Sequence, residues 1–217
     1  MSATAMLRTG GGGTKAVPSV VLKPAPAEIQ LLLRFAPDEH IFAEGDEVSG
    51  MYRVVSGMVR GCKFLADGRR HIDAFYKPGD VFGFELGREH QLSAEAVTAC
   101  TLEKLRHPGL EADCAAAAQL YGYAMRSLAQ AQAHSRLLGR GSACQKLASF
   151  LLELLAAKPG DVMELPMARH DIADYLGLTI ETVSRTMAQF EKDGLLELIM
   201  ARRIHVLNRK GLAALCG

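Results

Sequence analysis

The chain has 217 residues, 49% of them apolar, and its 25 basic and 24 acidic side chains leave a net charge of +1. That length suits one large domain or two modest ones with packed cores. No apolar run approaches the roughly 18 residues of a membrane span, and charge is spread evenly, with 15 basic and 15 acidic residues over 1–139 and 10 and 9 over 140–217, so any binding of nucleic acid must rest on local placement of charge.

The segment nearest to a secretory signal, "AVPSVVL" at Ala16 to Leu22, is short and broken by Pro18, so the expected compartment is the cytoplasm, with no membrane partner. Cys62, Cys100, Cys114, Cys144 and Cys216 are odd in number, scattered and never in C-x-x-C spacing. Neither a disulfide framework nor a metal site is expected, and the sequence assigns a regulatory role to none of the five thiols.

Residues 1–28, with "TGGGGTK" and three prolines, lack periodicity and read as a mobile tail or a misassigned start. Residues 29–107 have a different texture. Gly45, Gly57, Gly68 and Gly79 punctuate short runs such as "MYRVV", "MVRGCKFL" and "HIDAFY", rich in β-branched and aromatic residues. This predicts short antiparallel strands joined by tight turns, hence a sandwich or barrel-like roll. Asp67-Gly68 is the firmest hairpin turn, read as type I′ with positive φ at both central positions.

Residues 108–139 read as one long helix that Pro108 can start. Leu120, Ala124, Leu128, Ala131, Ser135 and Leu138 recur every three or four residues, with Ser127 and His134 beside them, in a seam of small and apolar side chains that admits a second helix. A homodimer paired along this helix is expected. Gly139 and Gly141 interrupt the pattern, and an amphipathic helix capped by Ser142 opens the last unit, residues 140–217.

In that unit "RHDIADYL" predicts a short helix, Gly177 a tight reversal, and Thr179 the cap of a second helix running to about Lys192. The spacing fits a helix-turn-helix, with Ala173 small where the helices cross. At about 100° per residue, Glu181, Ser184, Arg185 and Ala188 share one side, and Val183, Met187 and Phe190 lie opposite. In isolation Glu181 and Arg185 are an ordinary surface pair worth roughly 0.3–0.5 kcal/mol. Behind a helix and a glycine turn they are candidate base readers, since an arginine reads guanine O6 and N7 and a carboxylate accepts from cytosine N4. Beyond, "LELIM" and "IHVLN" predict a hairpin with Arg202 and Arg203 at its tip, a phosphate clamp. Thr179 and Thr182 join them as backbone contacts. The predicted fold class is α+β: an antiparallel β-roll, a long dimerisation helix and a winged helix-turn-helix.

In this order of parts, and most specifically in "DIADYLGLTIETVSR", the chain from about Ala27 resembles the CRP/FNR family of bacterial transcription regulators, in its FNR and FixK-type branch. The resemblance implies a regulator, not an enzyme, that binds double-stranded DNA as a homodimer. It implies base reading by Glu181, Ser184 and Arg185 at an inverted repeat of the TTGAT-N4-ATCAA type, contact with RNA polymerase through an exposed loop, and roles in oxygen limitation, respiration or nitrogen fixation. Ile180 stands where the cyclic-AMP branch typically has arginine. The roll carries Gly83, Phe84 and Glu85 but has Leu92, ahead of Ser93 and Ala94, where a cyclic-nucleotide cassette has its phosphate-binding arginine, so binding would need Arg88 to turn inward. The first 61 residues hold no cysteine for an iron-sulfur cluster of the FNR kind. No cofactor is expected. The alternative is a small ligand, haem or cyclic nucleotide in the roll. A metal-dependent roll enzyme would need clustered histidines, and His40, His71, His90 and His107 stand apart.

Overall fold

The computed structural model describes residues 31–85, 87–105, 114–156 and 160–216. The tail over 1–28 and the helix start at Pro108 lie outside them. The glycine-punctuated segment forms eight strands: β1 (Leu31–Phe35), β2 (His40–Phe42), β3 (Met51–Ser56), β4 (Val59–Phe64), β5 (Arg70–Tyr76), β6 (Val81–Phe82), β7 (Ser93–Ala96) and β8 (Cys100–Leu105). They pair antiparallel into two four-stranded sheets, ordered β1-β8-β3-β6 and β2-β7-β4-β5. Tyr52, Val54, Val59, Phe82 and Leu102 fill the space between the sheets, and rings of Tyr76 and Phe82 stack at 4.7 Å.

All four punctuating glycines have φ between 81° and 94°. At Gly57 the demand is double, because a Cβ there would lie 2.4 Å from the Ala99 carbonyl oxygen. The Asp67-Gly68 turn differs from the type I′ expectation: Gly68 has positive φ and Asp67 does not. Leu65 N donates to Arg69 O and Gly68 N to Leu65 O, which makes a three-residue loop ending in a left-handed glycine. The Asp67 carboxylate accepts from the Arg69 backbone instead of sharing the turn's strained positions.

The long helix α1 (Cys114–Leu138) buries His134 and Leu137 against its own chain. Of the expected seam, Ala124, Leu128, Ala131 and Ser135 face solvent, whereas Leu120 and Leu138 are half-buried. His134 was grouped with that seam and belongs to the opposite side, since one residue's step turns the helix by about 100°. Tyr121 and Met125 are exposed beside Leu128, at 67% and 45%, and extend the free apolar ridge.

Helix α2 (Ala143–Ala156) follows, and Ser142 and Gln145 cap it reciprocally: each side chain accepts from the other's backbone N–H at 3.1 Å. The remainder is β9 (Val162–Glu164), α3 (Arg169–Leu176), α4 (Ile180–Lys192), β10 (Leu196–Met200), β11 (Arg203–Val206) and α5 (Arg209–Ala214). β9 joins the hairpin in a sheet ordered β10-β11-β9, a strand too short for sequence periodicity to reveal. The core beneath these helices, with Leu147, Leu151, Ile172 and Phe190, also takes in Val97 and packs against Met58 and Phe75 of the roll.

Gly57 and Gly68 share nearly the same φ, 83° and 81°, yet a Cβ on Gly68 would meet nothing within 4 Å. Gly68→Ala is expected to cost roughly 1–2 kcal/mol, the left-handed penalty alone, and Gly57→Ala clearly more. Urea denaturation of the two variants measures the difference.

Candidate nucleic-acid interface

The helix pair is built by local chemistry. Gly177 ends α3 in the left-handed conformation (φ 61°, ψ 42°), and Leu178 N donates to Ala173 O at 2.9 Å, which closes the helix and turns the chain. Two residues on, Thr179 caps α4: its hydroxyl accepts from Thr182 N at 3.2 Å. Ile172, Ala173 and Leu176 of α3 and Val183, Met187 and Phe190 of α4 are all buried, and the small Ala173 permits the close crossing.

With that side of α4 buried, Glu181, Arg185 and Ala188 are exposed and Ser184 is half-buried. The Glu181 carboxyl is held below its usual range by its own backbone N–H and then by the Thr179 hydroxyl, with Arg185 adding a smaller pull. The i,i+4 ion pair does not form. Arg185 leans toward Thr182, its Nη2 3.5 Å from Oγ1, so acceptor and donor both remain available to a third party. Thr182 is half-buried, its Oγ1 3.1 Å from that of Thr179, and both threonines stand at the helix N-terminus, where backbone N–H groups favour phosphate.

The wing is shifted from expectation. Arg202 occupies the turn after β10, but Arg203 is the first residue of β11, paired with Met200 and Glu164. A β-bulge between Leu198 and Met200 moves the register, so one arginine marks the tip and the other its flank; both are exposed. A further cation escaped the sequence reading. Arg169 opens α3 and reaches across to Ser184, Nη1 to Oγ 3.4 Å. Its signal was a lone basic residue at the start of the first helix, indistinguishable by pattern from a surface charge.

Against known proteins, the family model for a Crp-like helix-turn-helix domain matches residues 145–215 and that for a cyclic nucleotide-binding domain matches residues 32–115. The chain is 42% identical over 192 residues to the nitrogen fixation regulation protein FixK of Azorhizobium caulinodans, an overlap of 83% of this chain and 77% of that protein. It is 39% identical over 197 residues to FixK of Rhizobium meliloti, covering 90% and 92%. The structure of FixK2 from Bradyrhizobium japonicum superposes with a TM-score of 0.81 at 40% identity, over 88% of this chain and 98% of that one. The chain belongs to the CRP/FNR family. As a member it is a DNA-binding transcription regulator, and these relatives are regulators rather than enzymes.

In this CRP/FNR chain the cleft beside β6 is lined by Gly83, Glu85, Leu92, Ser93 and Ser127 with the rings of Phe42, Tyr76, Phe82 and Phe84. It measures about 170 Å³, and none of its lining residues is arginine or lysine. Arg88 is exposed rather than turned inward. The lining of this cleft therefore offers a phosphate no counter-charge and does not fit a cyclic nucleotide. Among the described residues no group of three His, Cys, Asp or Glu side chains is placed to hold a metal, and no helix is long and apolar enough to cross a membrane. Cys62 and Cys100 are buried, and burial pushes the Cys62 thiol up to about 11, which keeps it protonated and unreactive.

The α4 cap isolates one hydrogen bond for measurement. Thr179→Ala is expected to lower stability by about 1 kcal/mol, and Thr179→Ser to retain most of it; urea midpoints of the two variants decide between a working cap and a bystander.

Proposed function

We propose that the chain activates transcription as a homodimer reading an inverted repeat of the TTGAT-N4-ATCAA type. Glu181, Ser184 and Arg185 contact base edges, and Thr179, Thr182, Arg202 and Arg203 contact the backbone. The observation that carries this reading is the division of α4, with Val183, Met187 and Phe190 buried while Glu181 and Arg185 are exposed and unpaired with each other. A helix so divided can enter a major groove with an acceptor and a bidentate donor in front.

Two-fold pairing is supported by α1. Tyr121, Met125 and Leu128 project at helical spacing with 45% or more of their surface free, a ridge suited to a second copy across a two-fold axis. Pairing there sets two copies of α4 on one side of the dimer, one DNA turn apart. In this reading residues 29–107 are the roll, 108–139 the dimer helix and 140–217 the DNA-binding unit. The protein works in the cytoplasm, and an exposed loop of the bound dimer recruits RNA polymerase. Its genes, by analogy with the FixK relatives, serve nitrogen fixation or respiration at low oxygen.

Band-shift titration of the TTGAT-N4-ATCAA duplex against a scrambled duplex tests the reading; equal affinity would sink it. Arg185→Ala is expected to cost about 1–3 kcal/mol per half-site and to relax preference at its guanine. Arg202→Ala is expected to weaken binding to every sequence and to lower the salt slope by about 1 per protomer. The opposite pattern would exchange the two roles.

A further inference from the structure

Between the roll and the helix-turn-helix lies a set of buried charges that neither DNA contact nor dimer pairing uses. Arg60 of β4 and Glu95 of β7 are cross-strand partners, joined by Arg60 Nε to Oε2 at 2.8 Å and Nη2 to Oε2 at 2.7 Å. The same guanidinium reaches Asp38 Oδ1 at 3.0 Å and Asp171 Oδ2, on α3, at 3.4 Å. Arg70 of β5 donates to Asp174 Oδ2 at 2.8 Å and bonds Asp171 as well. The side chains of Arg60, Glu95 and Asp171 are exposed by only 7%, 7% and 2%.

We propose that Arg60 and Arg70 are positioning residues for DNA recognition. By holding Asp171 and Asp174, they fix α3, and through it the reading helix α4, at a set angle to the roll and the dimer helix. The inference rests on the function proposed above.

Three observations support it. First, the covalent link is short: α1 and α2 are joined through Gly139, Arg140, Gly141 and Ser142, and its two glycines have no side chain to restrict the backbone. Second, the other contacts across the joint are mostly apolar, from rings and from Val97 and Met58 of the roll against the helical core, with one hydrogen bond, His134 Nε2 to the Tyr175 carbonyl oxygen at 2.7 Å. Tyr175 stacks on His134 at 4.0 Å and tilts against Phe75 at 5.1 Å, and apolar contact holds surfaces together without fixing their angle. Charge-assisted bonds from a planar guanidinium do fix it. Third, the first turn of α3 touches both ends of the path. Asp171 faces the roll, while Arg169, two residues earlier, reaches Ser184 of α4.

The charge balance makes the clamp sensitive. Two guanidinium groups face four carboxylates, with His40 against Glu95 at 3.5 Å and His170 against Asp171 at 3.2 Å at the rim. Removal of one arginine leaves buried carboxylates facing one another, which drives α3 off the roll. Such ion pairs add little net stability against apolar replacements; their worth here is orientation.

A helix free to pivot still reads its own half-site but no longer enforces the distance between two. The full-length protein is therefore titrated against palindromes whose half-sites are separated by three, four, five or six base pairs, and against a four-pair palindrome with one guanine replaced. The wild type is expected to favour one spacer strongly. In Arg70→Asp that preference is expected to narrow by roughly tenfold, while the penalty for the replaced guanine stays unchanged. Arg70→Asp combined with Asp174→Arg is expected to recover part of the spacer preference, because both side chains are partly exposed and this pair can be reversed, while Asp171 keeps Arg60 alone. Asp174→Asn serves as the milder probe should Arg70→Asp misfold, and is expected to narrow the preference in the same direction. Unchanged spacer preference in Asp174→Asn or in folded Arg70→Asp overturns the positioning role. Loss of half-site discrimination together with spacer preference, without rescue by the reversed pair, overturns it as well. A wild type with no preference for any palindrome over scrambled DNA overturns the proposed function itself.

Discussion

The crossing of α3 and α4 around Ala173 is the constraint on which the interface depends. Two helices of eight and thirteen residues are too short to persist alone in water, so each exists because it buries a face against the other. Ile172 and Leu176 supply one side, Val183 and Met187 the other, and Gly177 reverses the chain without the steric cost a Cβ would add. Burial of that face dictates what remains outside. Once Val183, Met187 and Phe190 are inside, the 3.6-residue repeat leaves Glu181, Arg185 and Ala188 no other place than the surface. The exposed face of α4 is thus a consequence of core packing, and its chemistry is set by which residues occupy the unburied positions.

This explains how unevenly the structure could be read from the sequence. The turn between α3 and α4, the Thr179 and Ser142 caps and the division of α4 follow from local rules of period and hydrogen bonding, and they were legible. The roll was legible as strands and turns because Gly45, Gly57, Gly68 and Gly79 occupy turns that need positive φ. Pairing was not. The bulge that carries Arg203 from tip to strand, the third strand Val162–Glu164, and the loop form at Asp67-Gly68 depend on register, which a one-dimensional pattern does not contain. Arg60, Arg70 and Asp171 read as ordinary charges for the same reason. Their partners lie up to 111 residues away, and only folding reveals that Arg60 and Asp171 are buried and Arg70 half-buried.

The roll matches the model for a cyclic nucleotide-binding domain, and its interior is packed with rings: His90 lies on Phe42 at 3.6 Å, and Tyr52 and Tyr76 flank Phe82. Leu92 lines the cleft, and on the sheet that holds β4, β5 and β7, Arg60 and Arg70, with Glu95 between them, meet Asp171 and Asp174 of α3.

That contact bears on the charge of the chain. A protein with 25 basic and 24 acidic residues has no net field to draw it to DNA, and the last 78 residues are nearly as balanced as the whole. Balance in number is not balance in space. The acids of α3, Asp171 and Asp174, are turned inward and neutralised by arginines borrowed from the roll. The bases of the same unit, Arg185, Arg202 and Arg203, remain exposed, with Arg169 half-buried beside Ser184. The docking of the two domains therefore pairs two acids of the helix-turn-helix with arginines of the roll, while Glu181 stays exposed with Arg185 on α4. A weak overall field with a few fixed cations limits non-specific attraction, which scales with the number of phosphates neutralised, and leaves discrimination to direct contacts at base edges. The same ion pairs that join α3 to the roll thus occupy the acids of that helix.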